Sequence, residues 1–95
     1  MVGSDIHTTV AVAPWEAALG ATVSVPTLGG HVELKIPANS ESGRKLRLRG
    51  RGLPGAPPGD QIVELEVLAP VPHDDAQREA YARMRDAFGD DWRRA

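Results

Sequence analysis

From His7 to Ala13 the chain alternates, placing Thr8, Val10 and Val12 on one side and His7, Thr9 and Ala11 on the other. This is the period of a half-buried strand. Pro14 supplies a φ suited to a first helical turn, and Trp15-Glu16-Ala17-Ala18-Leu19 favour helix up to Gly20, a natural stop. One or two turns fit there. Trp15, Ala18 and Leu19 fall three and four apart, so this short helix is expected to plug one end of the β-structure. Alternation resumes from Ala21 to Val25, with Val23 and Val25 on one face, and is followed by Pro26 and a Gly29-Gly30 turn. His31 to Ile36 directs Val32, Leu34 and Ile36 inward and His31, Glu33 and Lys35 outward, and Pro37 ends it.

Asn39 to Gly43 reads as a polar turn, after which Lys45, Arg47, Arg49 and Arg51 alternate with Leu46 and Leu48 in a further strand. Gly50 to Gly59 holds four glycines and three prolines in ten residues, a composition that forbids a regular element. Beyond Gly59-Asp60 a fifth strand, Ile62 to Leu68, sets Val63, Leu65 and Val67 against Glu64 and Glu66. Pro70 and Pro72 leave the sheet, and His73-Asp74-Asp75 opens the one long helical pattern, with acids near the positive end of the helix dipole. That helix is predicted to run to Phe88 and to stop at Gly89, with Ala80, Tyr81, Met84, Ala87 and Phe88 as its apolar stripe and Asp90 to Arg94 as a short tail. The expected fold is mainly β: a small antiparallel sandwich or barrel-like domain with one short helix after the first strand and one helix at the C-terminus.

Composition narrows the function classes. Ninety-five residues make one small domain, and 41% hydrophobic with 25% charged residues is a globular balance. A formal net charge of −2 argues against binding nucleic acid through a bulk positive field. The absence of cysteine removes disulfides, thiolate zinc sites and cysteine nucleophiles, and is compatible with a cytoplasmic home. No stretch approaches the roughly 18–20 apolar residues of a membrane span. Met1-Val2-Gly3-Ser4 lacks the regions of a signal peptide and reads as a short remnant or linker.

Candidate chemistry is sparse. Lys45, Arg47, Arg49 and Arg51 offer a cationic row that could track phosphates, yet Glu33, Glu64 and Glu66 share its outward parity and are expected to pair with it across the sheet. The aromatics that would stack bases, Trp15, Tyr81, Phe88 and Trp92, all lie off that strand. His7, His31 and His73 show no metal-ligand spacing, and Ser4, Ser24, Ser40 and Ser42 lack a nucleophile elbow. Gly50-Arg51-Gly52 leads into Leu53-Pro54 and not into a helix whose N-terminus would hold an anion. No catalytic residue, metal or cofactor is expected. Two surfaces remain: sheet edges able to accept an extended peptide, and the Tyr81-Met84-Phe88 stripe with Trp92, which must be buried either on its own sheet or against a second copy, because an isolated helix of this length is marginal in water.

The ordered series Pro14-Trp15-Glu16-Ala17-Ala18-Leu19-Gly20, Val25-Pro26-Thr27-Leu28-Gly29-Gly30, Ile36-Pro37, Ser42-Gly43, Leu46-Arg47-Leu48-Arg49-Gly50-Arg51-Gly52-Leu53-Pro54 and Gly59-Asp60 resembles the C-terminal β-domain of the Hsp40 (DnaJ) co-chaperones. The likeness runs from about Asp5 to Pro70 and is nearest the second of the two such domains in these proteins. The Ala13-Pro14-Trp15-Glu16 opening and the Trp92-bearing tail are most similar to the curved-DNA-binding-protein branch. The resemblance implies a domain over 5–70 followed by a dimerisation segment over 71–95. It implies a cytoplasmic co-chaperone domain that binds unfolded client polypeptide and forms a homodimer, so that clients reach Hsp70. Carried over by position, the client depression involves Thr8, Val10, Val23 and Val25, and dimerisation involves Tyr81, Met84, Phe88 and Trp92. These residues contain no His-Pro-Asp motif and no J-domain, so contact with Hsp70 would go through a J-domain not in this chain. Weak DNA binding through Lys45 to Arg51 is the alternative.

Overall fold

The five alternating segments pair into two sheets in the computed structural model, which describes residues 5–93. β1 (Ile6–Val12), β5 (Gln61–Val67) and β4 (Lys45–Leu48) form one, in the order β1-β5-β4, and β2 (Ala21–Thr27) with β3 (Gly30–Ile36) forms the other. Two helices interrupt this plan: α1 (Pro14–Leu19) between β1 and β2, and α2 (Asp75–Phe88) after β5. The remnant or linker read at residues 1–4 lies outside the described residues, as do Arg94 and Ala95.

The chain is mainly β with two helices, as expected, but the pairing is not wholly antiparallel. β1 runs parallel to β5 with Val10 opposite Leu65, whereas β4 runs antiparallel to β5 and β2 antiparallel to β3. Alternation survives the pairing because each sheet turns one face to a common interior. Val12, Val25, Leu34, Ile36, Val63 and Leu65 are buried together with Ala17, and Val10, Val23, Leu46, Leu48 and Val67 pack around them. Burying each large aliphatic chain contributes about 1.5–3 kcal/mol, so this shared interior holds the two sheets face to face. Gln61 stitches them as well. It is only 1% exposed, and its Nε2 donates to Thr8 Oγ1 on β1 at 3.1 Å and to the Pro26 carbonyl on β2 at 3.2 Å.

α1 is positioned by backbone bonds at both ends. Glu16 Oε1 accepts from the Ala13 N–H at 2.8 Å, and the N–H groups of Asn39 and Ser40 donate to the carbonyls of Ala18 and Ala17 at 3.0 and 2.8 Å. The β3–β4 loop thus caps the helix C-terminus, whose carbonyls would otherwise lack partners. Gly20 is required at this junction: its φ is +86°, and a Cβ there would meet the Ile36 carbonyl oxygen at 3.1 Å. This docking turns Ala17 into the core and overturns the expected plug, because Trp15, Ala18 and Leu19 all stay exposed.

The cationic row is also shorter than its alternation suggested. β4 ends at Leu48, and Arg49 and Arg51 belong to the following loop. Of the three expected acidic neighbours, Glu64 lies opposite Lys45, while Glu33 pairs with Ser24 in the other sheet and Glu66 with Ala11. Arg47 instead binds Asp60 and approaches Asp5. Asp60 Oδ1 accepts from the Gly50 N–H at 2.8 Å, and the Asp60 N–H donates to Asp5 Oδ1 at 2.8 Å, so the Asp60 carboxylate ties the start of the glycine-rich loop to its end and Asp5 anchors that end. The Gly50 N–H bond and the Arg47 guanidinium hold the Asp60 carboxyl below its ordinary value.

Candidate functional site

α2 begins where Asp74 accepts from the Gln77 N–H at 2.7 Å and Gln77 Oε1 accepts in turn from the His73 N–H at 2.6 Å. This reciprocal arrangement satisfies two donors at the helix start. Gly89, at φ +63°, ends it by donating to the Arg85 carbonyl. The helix does not lie on either sheet. None of its residues is buried, and the Cα radius of gyration of 16.8 Å exceeds the roughly 12 Å of a compact chain of this length. Pro70 and Pro72 carry the chain away from β5, and the Tyr81 hydroxyl donates back to the Pro70 carbonyl, which sets the helix against its own linker.

The geometry leaves an open apolar cleft of about 950 Å³ between α1 and α2. One wall is Pro14, Trp15, Ala18 and Leu19; the other is the stripe of Tyr81, Met84 and Phe88, extended by Trp92. A second, smaller cleft continues past Trp15, Tyr81 and Met84 to Pro70, Val71 and Pro72. Trp15 is 57% exposed, Phe88 65% and Trp92 62%, so all three aromatics are largely open to solvent in the single chain. Arg93 lies 4.8 Å from the Trp92 ring centroid and shields one side of it.

All four dimerisation candidates, Tyr81, Met84, Phe88 and Trp92, therefore share one cleft. Trp15 and Leu19 join them, assigned from sequence to the domain interior. A signal for this existed: the Trp15-Leu19 spacing of four repeats that of Met84 and Phe88, so both helices carry a matching stripe.

The client candidates are divided. Thr8 and Val10 lie on β1 and Val23 and Val25 on β2, and both strands keep one edge unpaired among the described residues. Val25 is fully buried, whereas Thr8, Val10 and Val23 are half-buried. Gln61, missed from sequence, bridges β1 and β2 from below. Its signal was weak, since one polar residue at a strand start usually faces solvent. Among the described residues no group of three or more acidic or histidine side chains could hold a metal ion, and no helix is long and apolar enough to cross a membrane.

The described residues thus form a mainly β domain of two sheets with a short helix after the first strand and a terminal helix that adds no residue to the buried cluster. The family description "DnaJ C terminal domain" matches residues 1–70, and the chain belongs to that family. It is 55% identical to the Curved DNA-binding protein of Coxiella burnetii over 82 residues, which cover 86% of this chain and 26% of that protein. It is 42% identical to the Chaperone protein DnaJ of Streptococcus thermophilus over 92 residues, covering 94% of this chain and 24% of the relative. The chain thus spans about a quarter of the length of the curated relatives it matches.

Proposed function

We propose that this domain joins two protomers of a cytoplasmic co-chaperone and presents unfolded client segments for transfer to Hsp70. The observation that carries the reading is the cleft in which Trp15 and Leu19 face Tyr81, Met84, Phe88 and Trp92, none of which belongs to the buried core cluster. Exposed aromatic and Met side chains at this density are the composition of an interface centre. A second copy related by a two-fold axis would bring the same stripe to the same cleft, so that each α2 covers the other chain's α1. Client polypeptide adds at the unpaired edges of β1 and β2, where backbone groups supply hydrogen bonds and Thr8, Val10 and Val23 line the approach. Val25 supports that site from within the core.

This is a binding and assembly role, not catalysis. The DNA binding named for one relative finds little support on this domain. Asp60 and Asp5 neutralise Arg47, the chain carries a net charge of −2, and the only aromatics lie away from β4.

Sedimentation velocity on the chain and on a version ending at Pro72 tests the proposal. The full chain is expected to be a dimer. The shortened one is expected to be a folded monomer, because every residue of the buried cluster lies between Val12 and Leu65. A monomeric full chain at tens of micromolar ends the dimer reading.

A further inference from the structure

The three-stranded sheet has a second edge, on the side of β5 opposite β1, and it lends no residue to the cleft. β4 pairs with β5 on one side and with no other strand among the described residues on the other. Parity decides which backbone groups face that open side. The Gly43 N–H donates to the Leu65 carbonyl at 2.7 Å, and the Leu65 N–H donates to the Arg44 carbonyl at 2.8 Å. Counting on from there in an antiparallel ladder, Leu46 and Leu48 direct their N–H and C=O groups to β5, and Lys45 and Arg47 direct theirs outward. The same two residues carry exposed cationic side chains, while Leu46 and Leu48 turn toward the core.

Charge along this edge is only partly matched. Arg47 is held by Asp60, but Arg44, Lys45, Arg49 and Arg51 have no ion-pair partner among the described residues. Cations on an edge strand keep neutral and basic strands from adding to it. An acidic strand meets the opposite situation, because each outward carboxylate falls across from Lys45 or beside Arg49 as its backbone completes the ladder. We infer that the free edge of β4 docks an extended, acidic polypeptide segment by strand addition.

A phosphate backbone fits less well. It offers acceptors alone, so it would satisfy the N–H groups of Lys45 and Arg47 and leave their carbonyls facing anionic oxygens, whereas a peptide strand supplies both partners. The inference is independent of the dimer cleft, since β4 contributes no residue to it.

Fluorescence polarisation on the chain, with a short labelled peptide alternating Glu and Val, tests it. The peptide is expected to bind more weakly as salt rises, and to protect the amides of Lys45 and Arg47 from hydrogen exchange. Its alternately N-methylated form, with charge unchanged and one set of donors removed, is expected to bind about tenfold more weakly. The double variant Lys45→Glu/Arg49→Glu, checked by an unchanged melting curve, is expected to lose about tenfold as well. Failure of the acidic peptide to bind, equal binding of the N-methylated form, or protection of Lys45 and Arg47 by duplex DNA in preference to the peptide would each overturn the inference, the last in favour of a nucleic-acid edge.

Discussion

Replacing Phe88 by Ala probes the cleft where the structure gives a magnitude. The ring sits at the end of the α2 stripe and is 65% exposed in the single chain. With roughly 200 Å² for a Phe side chain, about 130 Å² is open to solvent, of which truncation to Ala removes about 100 Å². If a partner chain covers this patch fully, about 2.5 kcal/mol is lost per chain at about 25 cal/mol per Å². A two-fold interface contains the substitution twice, so the dimer weakens by about 5 kcal/mol, or about three to four decades in Kd. Sedimentation velocity across a concentration series reads this directly. The monomer fold is expected to be untouched, because Phe88 lies outside the buried cluster, and far-UV circular dichroism and thermal melting check that point. A variant that dissociates over the same concentrations as the parent would refute the assignment of Phe88 to an interface.

Further predictions follow from the other contacts. Trp15→Ala in the version ending at Pro72 is expected to cost under about 1 kcal/mol by chemical denaturation, since the residue is 57% exposed and lies outside the buried cluster; a loss of about 3–5 kcal/mol would place the ring in the interior after all. Gln61→Met keeps the side-chain volume and removes its two hydrogen bonds to Thr8 and Pro26, so stability is expected to fall by about 1–3 kcal/mol, and equal or greater stability of the variant would deny Gln61 its role between the sheets. Asp60 has its pKa lowered from 3.8, first by the Gly50 N–H bond and then by Arg47. Its contribution is therefore present above the unfolded value and lost as pH falls through the still lower folded one, so exchange of the Gly50 amide is expected to accelerate only below about pH 3.8, and an NMR titration placing Asp60 at or above that value contradicts the clamp.

Local order determined much of this molecule. The five strands, the Pro14 helix and the helix ending at Gly89 were legible because period, proline position and glycine stops act within a few residues of one another. The stripe of Tyr81, Met84 and Phe88 was legible for the same reason. Period tells which face a residue takes but not which strand it meets, and there tertiary structure decided. Pairing β1 with β5 in parallel joins residues more than fifty positions apart, and it encloses β5 so that Gln61 and Ile62 are buried beside Val63. Arg47 took its partner from the base of a loop, where Asp60 also satisfies a backbone N–H, and not from the acidic residues of matching parity. Trp15 was the sharpest reversal. A helix of six residues has one narrow buried side, and which side that is was set by the Asn39 and Ser40 amides bonding to its last turn, leaving the indole with α2 in the open cleft.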